Sequence, residues 1–182
     1  NVNSTKQLLN YCKITRRVKK IIFLSSAAVY GNYKSQKKLI PISPYGRNKL
    51  KAEELCKRFY TKKKINMAIL RLFSVYGAGL KKQLIWDACY KLTKKKFLFF
   101  GTGQETRSWI NIDDVLRAIF YVLRCKKDYI LTDIGPSKST KVKDILYLIC
   151  KNLKINPLQI KFDKEIKPGN PKHQKILNKN IF

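Results

Sequence analysis

The chain lacks several features that define common classes of protein. It has a single histidine, His173, and none of its five cysteines belongs to a C-x-x-C pair. This scarcity of ligands predicts no metal site. No apolar run is long enough to cross a bilayer, and the first residues do not form a charged-then-apolar signal peptide. We therefore expect a cytoplasmic protein with no membrane partner. Its cysteines are expected to be reduced and to lie in the core: Cys12, Cys56, Cys89, Cys125 and Cys150.

Acidic residues are also scarce. The chain has 11 Asp and Glu against 40 Lys and Arg, a formal net charge of +29. Such a charge suits a nucleic acid as partner, but the basic residues are spread along the chain and lysine dominates. Proteins that read bases favour arginine, so we predict no specific nucleic-acid partner. A non-catalytic, basic nucleic-acid-binding domain is an alternative to an enzyme. Retention of DNA or RNA that is sensitive to salt and unchanged by Tyr45→Phe would support this alternative.

The apolar residues that are present follow an alternating pattern. They make up 45% of the chain, and helical and strand patterns take turns, which predicts an α/β fold with a parallel sheet. The first helix should bury Leu8, Leu9 and Cys12. Residues 26–43 are predicted as a loop and 73–79 as a turn. Helices are predicted over 2–13, 44–62, 83–92, from Asp113 onward and over 141–152, and strands over 21–24, 67–72, 97–100 and 130–134.

The most informative segment is S-S-A-A-V-Y-G (25–31), followed by S-P-Y-G-R-N-K (43–49). The first follows a buried strand. In the second, Ser43 can cap a helix whose first residue is Pro44, and Tyr45 and Lys49 lie one turn apart on one face of that helix. A lysine ammonium beside a phenol favours the phenolate, so this pair can exchange a proton with an alcohol or sugar oxygen. Ser26 ends the strand, where α/β sheets bind ligands, and can hydrogen-bond the same oxygen. A lone Y-x-x-x-K is common by chance, so the combination carries the signal.

These segments together resemble the extended short-chain dehydrogenase/reductase family, and in particular its nucleotide-sugar epimerases. L-R-L-F-S-V-Y-G (70–77) resembles the family's segment beside the nicotinamide and the sugar nucleotide. G-T-G-Q-E-T-R-S-W-I (101–110) is similar to its substrate loop, in which Arg107 matches the arginine that binds the diphosphate. A planar guanidinium suits that bidentate contact. The resemblance covers nearly the whole chain and is strongest over residues 21–115.

The resemblance implies a partial Rossmann-like, doubly wound parallel sheet with a small C-terminal substrate-binding α/β part. Residues 1–79 would form the rear half of the NAD-binding domain, and residues 80–182 mostly the substrate-binding part, with some elements returning to the sheet. The implied cofactor is NAD, the implied substrate is a UDP-hexose, and the helices from Pro44 and after Gln83 would form a homodimer. The implied site residues are Ser26, Tyr45 and Lys49 for catalysis, Asn1, Ser25, Tyr45, Lys49 and Phe73 for the cofactor, and Ser26, Ser74, Arg107 and Lys167 for the substrate.

The sequence departs from the family in its first part. The glycine-rich turn that seats the dinucleotide is absent, and neither G-A-G (77–79) nor G-T-G (101–103) has its spacing. We therefore expect the rear part of an epimerase, with an unpaired sheet edge, poor solubility and negligible catalysis on its own. Four positions also differ from what relatives often have: Ser74 replaces asparagine, Ser108 aspartate, Lys167 arginine and Asn170 aspartate.

The implied reaction is a 4-epimerisation of UDP-glucose and UDP-galactose, in carbohydrate metabolism and polysaccharide biosynthesis. Tyr45 would take the proton from the sugar 4-OH with the help of Ser26, and NAD would accept the hydride. The 4-keto sugar would then turn over and be reduced on its other face. Lys49 would favour the Tyr45 phenolate and hold the cofactor ribose. A dehydratase needs an acidic residue just after the strand serine, where this chain has Ala27 and Ala28. An NADPH-dependent 4-ketoreductase is the other alternative.

Overall fold

Helices and strands alternate along the chain, as predicted. The computed structural model describes residues 2–15, 17–32, 39–63, 65–165 and 168–176. Two short 3₁₀ turns cover Ala27–Val29 and Pro157–Gln159. The helices are α1 (Val2–Thr15), α2 (Pro44–Lys63), α3 (Gln83–Thr93), α4 (Ile112–Arg124) and α5 (Val142–Asn152). The strands are β1 (Lys20–Ser26), β2 (Asn66–Leu72), β3 (Ser74–Tyr76), β4 (Leu98–Phe99), β5 (Thr106–Arg107), β6 (Trp109–Asn111), β7 (Tyr129–Ile134), β8 (Thr140–Lys141) and β9 (Lys161–Phe162).

The main sheet has three parallel strands in the order β1-β2-β7. Successive side chains of a strand point to opposite faces. On one face, Met67 and Ile69 form a buried cluster with residues of α1 and α2. On the other face, Ala68 and Leu70 form a cluster with α4. A parallel sheet covered on both faces explains why its strands read as nearly continuous apolar runs. β1 lies at one edge of this sheet.

A third buried cluster lies outside the main sheet. It joins α3 and α5 to the short parallel pair β4–β9. Leu92 and Phe99 pack there with Leu146 and Cys150, all at most 2% exposed. Two further short strand pairs complete the fold. The pair β3–β6 is parallel, and the pair β5–β8 is antiparallel.

The start of α2 is defined by local contacts. Ser43 Oγ accepts a hydrogen bond from Gly46 N at 3.0 Å, and Pro44 takes the first helical position, as predicted. Gly46 must be a glycine, because a Cβ atom there would stand 2.4 Å from the carbonyl oxygen of Ala28. The first turn of α2 therefore lies directly against the 3₁₀ turn that follows β1.

Several predicted elements are wrong in detail. The segment predicted as a turn over 73–79 contains β3, which pairs with β6 more than 30 residues later. Leu8 is 54% exposed, although Leu9 and Cys12 are buried as predicted. The strand predicted over 97–100 is only β4; Phe99 is buried, but Leu98 and Phe100 are at least half exposed. Strands of two or three residues have no periodicity to read, since their partners lie far along the chain.

All five cysteines are free thiols. Cys12, Cys56 and Cys150 are buried as predicted, whereas Cys89 and Cys125 are only partly buried. Within the described ranges, no helix has the length and apolar character needed to cross a membrane.

Candidate active site

Tyr45 and Lys49 lie at the carboxyl end of β1. Tyr45 is in the first turn of α2, and its side chain is 49% exposed. The Lys49 Nζ atom donates to the carbonyl oxygen of Leu24 at 2.8 Å and lies 5.9 Å from the centroid of the Tyr45 ring. Burial lowers the pKa of Lys49, while the nearby charge of Glu53 raises it. The ammonium group thus lies between the end of the strand and the phenol.

Ser26 lies at the same end of β1. Its Oγ atom accepts a hydrogen bond from Ala28 N at 3.2 Å and caps the 3₁₀ turn. Gly46, the neighbour of Tyr45, packs against Ala28 in that turn. The structure therefore brings Ser26, Tyr45 and Lys49 to one end of β1, although no direct hydrogen bond joins these three side chains.

Ser25 points into a buried polar network instead. Ser25 is 3% exposed, and its hydroxyl donates to Glu53 Oε1 at 2.5 Å. Glu53 is also paired with Arg71 of β2, whose Nη2 donates to Glu53 Oε2 at 2.7 Å. Burial alone would lower the pKa of Arg71, but the hydrogen bonds and charge of Glu53 raise it. The Ser25 hydroxyl is thus already hydrogen-bonded within the protein.

Two more residues complete this network. Arg71 Nη1 donates to the Tyr30 hydroxyl at 2.9 Å, and that hydroxyl donates to Asp133 Oδ1 at 2.7 Å. Burial and the charge of Asp133 raise the pKa of Tyr30. Ser25, Arg71 and Asp133 are register partners across the three strands. The network is therefore a polar row across the sheet, on the face that α2 covers.

Sequence reasoning missed the role of this network. Two signals were available. Arg71 interrupts an otherwise apolar buried strand, and Glu53 stands beside Ala52 on the apolar face of α2. A charged residue in such a position requires a partner, because an unpaired buried charge is costly.

A cavity of about 570 Å³ lies beside the short strands β3 and β6, within the size range of small-molecule sites. Ser74 and Arg107, both predicted to bind the substrate, line it together. Its aromatic lining comes from Phe99, Phe100 and Trp109. The pairing of Ser74 with Trp109 in the β3–β6 ladder holds these elements side by side.

Arg107 is buried in this cavity with neutral partners. Its Nη1 donates to the carbonyl oxygens of Thr106 at 2.8 Å and Lys172 at 3.3 Å, and its Nη2 donates to Asn170 Oδ1 at 3.1 Å. Over the described ranges, no carboxylate lies within 4.0 Å of the guanidinium. Burial lowers the pKa of Arg107, and the charge of Glu105 opposes that effect. A buried cation held only by neutral acceptors has the charge and the donors to bind an anionic ligand.

The segment 169–172 connects this cavity to the Tyr45 helix. Gly169 has φ +80°, and a Cβ atom there would lie 3.1 Å from the Cβ of Ser43, the capping residue of α2. The next residue is Asn170, the partner of Arg107. Lys172 N also donates to Asn32 Oδ1 at 3.0 Å, just after the β1 end. The Arg107 cavity and the Ser26–Tyr45–Lys49 cluster are therefore neighbours.

The remaining predicted residues fall into three groups. Phe73 is buried, and its ring centroid lies 6.4 Å from that of Tyr30, so its side chain belongs to the core. Asn1 and Lys167 lie outside the described residues. His173 is exposed, and its Nδ1 lies 3.1 Å from Thr106 Oγ1. Of the described residues, no three His, Cys, Asp or Glu side chains are grouped to hold a metal ion.

Comparison with known proteins supplies the family. Residues 1–132 match the NAD dependent epimerase/dehydratase family, and since this is more than half of the chain, the protein belongs to that family. The uncharacterized UDP-glucose epimerase YtcB of Bacillus subtilis (strain 168) is 30% identical over 158 residues, which cover 82% of this chain and 49% of YtcB. The dTDP-D-glucose 4,6-dehydratase of Dictyostelium discoideum is 32% identical over 142 residues, which cover 68% of this chain and 32% of that protein.

A solved structure shows the same fold. The crystal structure of UDP-glucuronic acid 4-epimerase from Bacillus cereus, in complex with UDP-glucuronic acid and NAD, superposes with a TM-score of 0.85 at 31% identity. The match covers 96% of this chain and 57% of that one. The predicted Rossmann-like α/β fold and the predicted family are confirmed, as is NAD as the family's cofactor. The chain spans about half the length, or less, of these curated relatives.

Proposed function

We propose that this chain contributes the proton-transfer and substrate-binding part of a UDP-glucose/UDP-galactose type 4-epimerase. The observation that carries the proposal is Arg107, a buried guanidinium with neutral partners beside the Tyr45 helix. The diphosphate of a nucleotide sugar has negative charge and paired oxygens, which the protein does not supply to the Arg107 guanidinium. With the diphosphate on Arg107, the nucleoside would lie along the aromatic part of the cavity and the hexose would extend toward Tyr45.

The residues at the end of β1 would then act on the sugar. Tyr45, exposed in the first turn of α2, takes the proton of the sugar 4-OH. Ser26 hydrogen-bonds the same oxygen, which orients the oxygen during proton transfer. The Lys49 ammonium favours the phenolate of Tyr45 from within the same helical face. The sugar would pass through a 4-keto intermediate before the proton returns.

NAD fits this site only in part. A lysine ammonium has three donors, and Leu24 takes one from Lys49, which leaves donors for ribose hydroxyls. The sequence contains no glycine-rich segment with the spacing that seats the pyrophosphate. NAD, when bound, supplies the hydride acceptor for the sugar carbon. This chain would hold the nicotinamide riboside end, with residues 1–79 on the cofactor side and 80–182 mostly on the substrate side.

Dehydratases are the nearest alternative within the family, and one relative above carries that name. Ala27 and Ala28 follow Ser26, so the acidic residue that a dehydratase needs just after the strand serine is missing. This difference favours the epimerase. An NADPH-dependent 4-ketoreductase uses the same three side chains and would be distinguished by its cofactor.

We also propose a homodimer formed through α2 and α3. The support is on α3, where the rings of Trp86 and Tyr90 stack at 5.3 Å between centroids although both side chains are more than a third exposed. Light scattering on the double variant Trp86→Ser, Tyr90→Ser should show a monomer at concentrations where the original chain is dimeric. An unchanged mass would contradict an interface on α3.

Calorimetric titration of this chain with UDP-galactose tests the proposed function. Replacement of Arg107 by methionine should weaken binding by at least about tenfold, the usual effect of losing charge-assisted hydrogen bonds. Arg117→Met is the matched control, because Arg117 lies on the exposed surface of α4 and pairs with Asp114. Equal affinity of the two variants, or equal affinity for UDP-galactose and for a nucleoside without phosphate, would contradict the proposal.

A further inference from the structure

The three residues Tyr45, Lys49 and Glu53 share one face of α2, spaced by one turn each. They pass from solvent into the core: Tyr45 is exposed, Lys49 is partly buried and Glu53 is 5% exposed. The last two bind consecutive residues of β1. Lys49 donates to the carbonyl oxygen of Leu24, and Glu53 accepts from the hydroxyl of Ser25.

We propose that Glu53 is a positioning residue, which holds α2 against β1 so that Lys49 stays bonded to Leu24 beside Tyr45 and Ser26. Glu53 touches none of the reacting atoms in this arrangement. The inference deepens the proposed function and depends on it for the catalytic role of Lys49.

The first argument is the anchoring of Glu53 itself. Its carboxylate accepts hydrogen bonds from Arg71 Nε at 3.0 Å and Nη2 at 2.7 Å, in addition to the bond from Ser25. Arg71 is in turn held by the Tyr30 hydroxyl. A bidentate buried pair has one geometry, so the position of Glu53 along β1 and β2 is fixed by groups on both strands.

The second argument is the distribution of charge. The network holds one cation, Arg71, and two carboxyl groups, those of Glu53 and Asp133. Lys49 is the next cation on the helix face, and the charge of Glu53 raises the pKa of Lys49 against the effect of burial. Glu53 therefore supports both the place and the protonated form of Lys49.

The chemical shift of the Leu24 carbonyl carbon tests the proposal, because it reports whether Lys49 donates to that oxygen. Lys49→Met gives the value for lost donation. At pH 6, Glu53→Gln should move the Leu24 signal toward that value. Glu54→Gln, which removes the same charge from the adjacent exposed position, should leave it unchanged. A folded Glu53→Gln chain with the original Leu24 shift would overturn the proposal.

Lysine acetylation measured by mass spectrometry gives a second readout. The pH midpoint for labelling of Lys49 should fall in Glu53→Gln, since the charge that raises its pKa is gone, and should stay in place in Glu54→Gln. A shifted midpoint with an unshifted Leu24 signal would mean that Glu53 acts by charge alone, which would overturn positioning.

Removing one partner of a buried ion pair can unfold a protein, because the other charge is left buried without compensation. Ser25→Ala therefore serves as a second variant, because it retains every charge and removes one hydrogen bond to Glu53. A smaller movement of the Leu24 signal in the same direction would support the proposal, and no movement would overturn it. None of these readouts needs a ligand, so failure of UDP-galactose binding would be a separate result.

Discussion

The Tyr30 hydroxyl donates to Asp133 Oδ1 at 2.7 Å although the two residues are 103 positions apart in the chain. Tyr30 follows the 3₁₀ turn after β1. Asp133 lies in β7, at the opposite edge of the three-stranded sheet from β1. Arg71, on the strand between them, donates to the same hydroxyl at 2.9 Å. The Tyr30 phenol thus links the segment that follows β1 to Arg71 of β2 and Asp133 of β7.

Replacing Tyr30 by phenylalanine should destabilise the chain. The change leaves a buried donor of Arg71 and a buried acceptor of Asp133 without the hydroxyl, a loss of about 1–3 kcal/mol in the free energy of unfolding. Urea denaturation measures it. Tyr45→Phe is the matched control: that hydroxyl makes no hydrogen bond with the described residues, so its effect should stay within about 0.5 kcal/mol. Equal stabilities of the two variants would contradict the network.

The raised pKa of the Tyr30 phenol predicts that the free energy of unfolding falls at alkaline pH. The pKa of Tyr30 is raised in the folded chain, by burial first and then by Asp133. An unfolded tyrosine ionises near pH 10, so the stabilisation from Tyr30 is complete below about pH 10 and is lost as the pH rises further. The slope is at most about 1.4 kcal/mol per pH unit. The difference in unfolding free energy between the original chain and Tyr30→Phe should narrow above pH 10; a constant difference up to pH 11.5 would contradict the raised pKa.

The cysteines should differ sharply in reactivity. Burial, followed by the charge of Glu53, raises the pKa of Cys56 to about 12, so almost no thiolate forms at pH 8. Cys125 is partly exposed. With Ellman's reagent on the native chain, Cys125→Ser should remove one equivalent from the fast phase, while Cys56→Ser should leave that phase unchanged. Fast reaction of Cys56 in the native chain would refute the packing of α2 on the sheet.

The buried cluster between α3 and α5 should tolerate little change in side-chain volume. Leu146 of α5 is fully buried among Leu92, Phe99 and Cys150. Leu146→Ala should lower the free energy of unfolding by about 2–5 kcal/mol through the cavity it leaves. Leu158→Ala is the matched control, because Leu158 is 81% exposed and should contribute about 0.5 kcal/mol or less. Similar losses for both would mean that the α3–α5 cluster is not a packed core.

Local signals in the sequence predicted the elements that carry the proposed chemistry. A capping serine and a first-turn proline placed the start of α2 correctly, and helical spacing then placed Lys49 one turn from Tyr45. Those rules act within a few residues. The short apolar run over 21–24 placed the first strand, which the structure extends to Lys20–Ser26.

Such local rules could not predict contacts between segments that are distant in the sequence. The surroundings of Arg107 come from Asn170 and Lys172, more than 60 residues later, and β3 exists only because it pairs with β6. The side chain of Ser25 was predicted to bind the cofactor, but its place in the buried network depends on Glu53 and Arg71, which come from two other elements. Hydrophobic periodicity carries no information about such pairings.

The central claim is that a nucleotide sugar binds with its diphosphate on Arg107 and its hexose at Tyr45. Titration of the isotopically labelled chain with UDP-galactose, followed by NMR, tests it most directly. We predict saturable shifts of the Arg107 Nε–Hε signal and of the Ser26 and Tyr45 amides, with contacts from the hexose protons to the Tyr45 ring. Shifts confined to exposed lysines, with Arg107 and Tyr45 unchanged, would contradict the account.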